Sequence, residues 1–206
     1  TALERSPEHV AAMKAAGWEI ATHGLKWIDY RDIPREVEAD HIAQAVALHA
    51  RVTGERPRGF YQGRCSMNTV ALGCEEGGFE YLADTIADDL PYWVQVGDTP
   101  HLVVPYTLDT NDMRFAIPGG FPTGEQFFAH LRDAFDCLYA EGATAPKMLS
   151  VGLHCRLVGR PARLPALARF LDHVLTHPDV WVTRRIDIAR HWAATHPAPR
   201  AERTAP

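Results

Sequence analysis

Long apolar runs are missing from this sequence, and no stretch approaches the ~20 residues that a membrane-spanning helix requires. A basic excess is missing too. Lysine and arginine number 21 against 26 acidic residues, a formal net charge of −5. That balance argues against a dedicated nucleic-acid binder, because phosphate recognition needs a clustered basic surface. Cysteine is scarce. Cys65, Cys74, Cys137 and Cys155 are scattered and form no CxxC pair, so neither a secreted disulfide scaffold nor a zinc ribbon fits. Cytoplasm is the expected compartment, and buried inert thiols the expected state of the cysteines. The opening residues Thr1-Ala2-Leu3-Glu4 show no initiator methionine, basic n-region or apolar signal core, and read as the start of a piece cut from a longer chain.

What is present suffices for a core. The chain has 206 residues, 46% of them hydrophobic, which excludes a disordered chain and suits one globular domain. Helix and strand patterns take turns along it. Helices are expected over residues 8–16 (stopped by Gly17, with Ser6 as a cap), 34–52, 68–76, 124–140, 164–175 and 186–192. The clearest carries Phe127, Phe128, Leu131, Phe135, Leu138 and Tyr139 as one apolar stripe. Short strands are expected over residues 18–22, 58–61, 79–83, 102–105, 147–153 and 180–183, with polar aromatic loops at 88–93 and 109–115. Strands separated by helices indicate an α/β fold with mostly parallel strands.

In such folds chemistry collects at the carboxyl ends of the strands. That rule selects His23 and Trp27 after the first strand, Gln62 and Arg64 after the second, and Asp84, Asp88 and Asp89 after the third. His154, Arg156 and Arg160 follow the strand ending at Leu153. Histidine serves as acid or base near neutral pH, and arginine suits an anionic or carbonyl-rich ligand. Asp88-Asp89 also reads as a solvated turn, and His9, His41, His49, His130, His173, His177, His191 and His196 read as surface residues.

The segments His23-Gly24-Leu25-Lys26-Trp27, Thr53-Gly54-Glu55-Arg56-Pro57-Arg58-Gly59-Phe60-Tyr61 and Leu153-His154 together resemble the polysaccharide deacetylase family. The stretches at residues 27–30, 87–93, 104–115, 150–161 and 185–192 are similar to its allantoinase branch, the bacterial urate-catabolism enzymes. The likeness runs from about Glu8 to Pro197. It implies a deformed (β/α) barrel lacking its first strand or strands in this chain. Residues 1–206 would form a single catalytic domain, the C-terminal two-thirds of a longer protein, with 198–206 a frayed tail. The reaction implied is hydrolysis of a non-peptide carbon–nitrogen bond.

In that family a first-strand Asp acts as base, while a second Asp and a His-x-x-x-His pair hold a divalent metal. Here His23 is present, but Trp27 stands where the second His belongs, and an indole cannot ligate a metal. The resemblance therefore implies the metal-independent allantoinase branch, with no cofactor. A zinc-dependent polysaccharide or peptidoglycan deacetylase and a binding-only barrel fragment are the alternatives. The implied partner is a small molecule, allantoin or a related ureide, with no nucleic acid and no membrane, and the branch implies a homo-oligomer. For ring opening, His154 would be general acid or base and His23 its partner or a carbonyl polariser. Arg64 or Arg160 would hold carbonyls or developing charge, Asp88, Asn111 and Asp112 would accept substrate N–H groups, and Trp27 and Tyr61 would pack on the ring.

Overall fold

The computed structural model describes residues 2–199, so positions 200–206 of the tail expected to fray lie outside the described residues. The elements are α1 (Ala2–Arg5), α2 (Pro7–Ala15), α3 (Arg35–Thr53), β1 (Gly59–Phe60), α4 (Thr69–Glu76), β2 (Tyr81–Leu82), β3 (Tyr92–Val96), β4 (Thr99–Val103), a 3₁₀ turn (Asp112–Phe115), α5 (Gly124–Gly142), α6 (Cys155–Val158), α7 (Leu164–Leu175) and α8 (Arg185–Thr195). By its internal packing the chain divides into two compact units. One comprises the residues up to Pro105 with those from Thr183 onward, and the other is Tyr106–Val182.

The first unit holds a four-stranded sheet ordered β1-β2-β4-β3. β1 pairs with β2 and β2 with β4 in parallel, while β3 pairs antiparallel with β4. The β3–β4 hairpin replaces the loop expected before residue 102, turning at Gly97-Asp98 with Gly97 at φ +57, a conformation that favours glycine. Residues 18–22 make only one parallel bridge, Thr22 with Phe60, rather than a strand. Ser6 precedes α2 without a side-chain cap; its carbonyl accepts from Val10 N at 3.2 Å instead.

Helix α3 buries one face, Glu38, Ile42, Ala45, His49 and Thr53, at i, i+4, i+7, i+11 and i+15 spacing. Its Ile42 packs with Phe60, Leu72, Cys74 and Leu82, large side chains contributing roughly 1.5–3 kcal/mol each on burial. His49, expected at the surface, is 2% exposed, with Nε2 at 2.7 Å from the Ile20 carbonyl and Nδ1 at 2.9 Å from that of Glu55. The polar ring is buried because both nitrogens find acceptors. At the start of α8, the Glu19 carboxylate accepts from Ile186 N at 2.8 Å and from the Tyr81 hydroxyl at 2.9 Å, satisfying a helix end that its own N-cap side chain leaves open.

The second unit is built on α5 against α7. Phe127, Phe128, Leu131 and Phe135 from α5 meet Ala166, Phe170 and Val174 from α7, with Phe121 and Val158 closing the cluster. Thr123 Oγ1 caps α5 by accepting from Gln126 N at 3.3 Å. The strand expected over residues 147–153 is reduced to one bridge, Asn111 with Gly152. Residues 180–183, expected as a strand, belong to no strand ladder.

Candidate active site

In the first unit, three chain segments end side by side. Thr22 N donates to Gly59 O at 3.0 Å, and Tyr61 N donates back to Thr22 O at 3.1 Å, so residues 20–22 run beside β1 and deliver His23 next to Tyr61. His23 Nδ1 lies 2.8 Å from the Tyr61 carbonyl. A carbonyl only accepts, so Nδ1 carries the proton and the lone pair of the neutral ring sits at Nε2. Trp27 stands edge-on to His23 with ring centroids 4.9 Å apart, and the Tyr61 ring lies at 4.9 Å as well. Gly63 forms the floor beneath both. A Cβ there would come within 2.8 Å of the Trp27 ring and 3.1 Å of His23 Cε1, and the residue sits at φ +81.

Asp84, at the end of β2, holds that floor in place. Its carboxylate accepts from Gln62 N at 2.6 Å, Gly63 N at 2.7 Å and the Cys65 thiol at 3.0 Å. Burial pushes its pKa above the usual carboxylate range, against the opposing pull of those three donors and the nearby His23. The Cys65 thiol is itself pushed up to about 12, by burial first and then by the Asp84 charge. It is a neutral donor and not a nucleophile. Sequence reasoning placed Asp84 at a strand end but gave it no task, because its partners lie about twenty residues upstream. Arg64 turns its guanidinium to Asp29, at 3.7 Å, and is half exposed. Asp88 is exposed and accepts from Leu90 N at 3.2 Å, which makes it a turn residue.

In the second unit, His154 Nδ1 lies 2.6 Å from Asp112 Oδ1. The other oxygen, Oδ2, accepts from His154 N at 2.8 Å and Val158 N at 3.1 Å. Asp112 is fully buried, whereas the His154 side chain keeps 26% of its surface exposed. The oxygens of Asp112, expected to accept from substrate, are taken up by the histidine ring and two backbone donors. The bridge that aligns the two segments is reinforced by Thr110 Oγ1 donating to Ser150 O at 2.7 Å and Ser150 N donating to Thr107 Oγ1 at 3.1 Å. Asn111, also expected to accept from substrate, spends its Oδ1 on Met113 N at 2.8 Å, and its amide packs against Gly152. Arg160 has an exposed side chain, and its carbonyl accepts from Arg163 N and Leu164 N at 2.8 and 2.9 Å.

Two cysteines depart from the buried state expected of them: Cys137 and Cys155 are exposed, whereas Cys74 is buried. A metal centre at His23 does not fit the residues described. Trp27 offers no donor, and no group of three His, Cys, Asp or Glu ligand atoms gathers around His23 among the described residues. No helix among them is long and apolar enough to cross a membrane.

Comparison with known proteins agrees with this architecture. The family model for polysaccharide deacetylase matches residues 1–75. A "Putative polysaccharide deacetylase" of Schizosaccharomyces pombe is 41% identical over 95% of this chain and 67% of its own length. The crystal structure of a probable polysaccharide deacetylase from Pseudomonas aeruginosa PAO1 superposes with a TM-score of 0.93 at 56% identity, over 96% of this chain and 67% of that one. The crystal structure of PuuE allantoinase gives 0.93 at 57% identity, over 95% and 66%. The chain thus spans about two thirds of these relatives' length, and it belongs to the polysaccharide deacetylase family.

Proposed function

We propose that this chain carries hydrolytic machinery of the allantoinase type, acting on a carbon–nitrogen bond in the hydantoin ring of allantoin to give allantoate. The choice within the family rests on Trp27, whose indole lies on His23 at 4.9 Å where a metal-dependent deacetylase needs a second ligand. The 57% identity to PuuE allantoinase supports it.

The chemistry is assigned to His154. With Nδ1 tied to Asp112, Nε2 bears the lone pair and acts as general base. Water adds to a ring carbonyl and gives one proton to Nε2, forming a tetrahedral oxyanion. Its collapse breaks the C–N bond, and the proton held at Nε2 passes to the departing ring nitrogen. One water is consumed, one C–O bond forms and one C–N bond breaks. Asp112, buried and hydrogen-bonded to Nδ1, holds the ring in place between the two transfers. In the first unit, His23, Trp27 and Tyr61 form an aromatic cluster, with Trp27 at 77° and Tyr61 at 35° to the imidazole plane, of a kind on which an unsaturated ring packs.

The test is allantoin turnover by the purified protein and its His154→Ala variant, with and without chelator. Chelator-resistant turnover that collapses in the variant is expected. Wild-type turnover in the variant would overturn the role of His154. Absence of allantoin turnover, with chelator-sensitive release of acetate from chitooligosaccharides, would replace the reading by a metal-dependent deacetylase.

A further inference from the structure

The second unit carries a cluster that the proposed reaction does not use. Asp136 on α5 faces His173 in the last turn of α7, and His177 follows one residue beyond the Thr176 cap of that helix. One ligand atom from each of the three lies within 4.8 Å of the others. His173 Nε2 is already 2.6 Å from Asp136 Oδ1. His177 Nδ1 is 2.9 Å from the His173 carbonyl, which can only accept. That bond fixes the proton on Nδ1 and leaves Nε2 as the donor atom for a ligand, the outer-shell arrangement by which metal-binding histidines are oriented.

The rings are also held by packing. Phe135, which is 7% exposed, meets His173 and His177 edge-on at 5.7 and 5.0 Å, and Tyr139 meets His177 at 4.8 Å. The two imidazoles stand 4.7 Å apart at 64°. Such rings have few alternative rotamers, so little order remains to be lost when a ligand arrives.

We propose that Asp136, His173 and His177 form a zinc site that clasps the end of α7 to α5. Two imidazole nitrogens and one carboxylate make a borderline N₂O donor set that suits Zn²⁺ and its transition-metal neighbours rather than Mg²⁺ or Ca²⁺, which take oxygen ligands. In a tetrahedral zinc site, bonds of about 2.0–2.2 Å place donor atoms about 3.3 Å apart. Ligation would open the His173–Asp136 contact from 2.6 Å and draw in the His177 donor, which already lies within 4.8 Å of the other two. Asp136 is 45% exposed on its side chain, so the fourth position is left to a water molecule. The bound ion ties together the two helices that supply the core of this unit, and it stabilises the folded state because the unfolded chain has no such constellation.

The experiment titrates chelator-stripped protein with Co²⁺, followed by displacement with Zn²⁺, and compares His177→Gln, Asp136→Asn and His23→Gln variants. One equivalent of Co²⁺ with the visible bands of a tetrahedral complex is expected in the parent and in His23→Gln. His177→Gln should weaken Zn²⁺ binding by more than about 100-fold, beyond the 10–100-fold that loss of an outer-shell partner costs. Zn²⁺ should raise the melting temperature of the parent and leave that of His177→Gln unchanged. All three side chains sit at the surface or its edge, so circular dichroism of the variants should match the parent. No tetrahedral spectrum at millimolar Co²⁺ would overturn the proposal. So would stoichiometric zinc binding that survives His177→Gln and is lost in His23→Gln.

Discussion

Asp112 gives His154 its direction, and this pair sets the sharpest expectation at the scale of single residues. Asp112→Asn replaces one acceptor oxygen by a donor facing Nδ1, which reverses the tautomer and moves the lone pair away from Nε2. A loss of about 10²- to 10⁴-fold in kcat with little change in KM is expected. A mere loss of fold would instead show in the circular dichroism spectrum, and His154→Ala, which leaves Asp112 on its two backbone donors, controls for it. Gly63 is the second test. Alanine there must hold φ near +81 and press on Trp27, so Gly63→Ala should cost about 1–3 kcal/mol in denaturant titrations and lower turnover with it. His23 and His154 stand out in the sequence because each follows a strand-like run. Their partners do not: Asp112 lies 42 positions before His154, and no local pattern links a buried carboxylate to a ring that distant. His49 misled for a related reason. Its helix position reads as polar surface, and only the Ile20 and Glu55 carbonyls explain its burial.

Elements were read best where one face repeats. The Phe127–Phe135 stripe of α5 and the Ala166, Phe170 and Val174 row of α7 announce their packing in the sequence. Leu131→Ala, in the centre of that stripe, should cost about 2–5 kcal/mol and raise amide exchange in α5 and α7. Strands were read less well because a strand is defined by its neighbour. Residues 180–183 have the β-branched composition of a strand but no ladder, whereas the aromatic, β-branched run 92–96 before Gly97-Asp98 carried a hairpin signal that its polar flanks obscured. The cap of α8 was invisible for the same reason as Asp112, since Glu19 comes from 167 residues upstream. Burial holds the Glu19 pKa above its ordinary value, so its ionisation opposes folding as pH rises through that raised value. Glu19→Gln keeps an acceptor for Ile186 N and removes the charge. The stability of the parent relative to this variant should therefore improve as pH falls from neutral toward the ordinary carboxylate range, while Glu19→Ala should cost about 1–3 kcal/mol throughout.

For the molecule as a whole, a net charge of −5 is spread over pairs that respond to acid in opposite directions. Glu80, held by Arg190 at 2.8 and 2.9 Å, has its pKa lowered chiefly by that hydrogen-bonded pair. Its contribution is present above the ordinary glutamate value and is lost as pH falls through the depressed one. Partial exposure limits it, so Glu80→Gln should cost about 0.5 kcal/mol at neutral pH and nothing in strong acid. The four thiols divide in a way that outlasts any single assay. Cys137 and Cys155 face solvent, while Cys65 is locked as a neutral donor on Asp84 beneath the floor of His23 and Trp27. A maleimide added to the native protein should therefore react promptly with two thiols, and reach Cys65 only when the 62–65 loop lets go of Asp84. The delay before Cys65 itself is modified, mapped apart from the buried Cys74, is an internal clock that reports how often the loop beneath His23 and Trp27 opens.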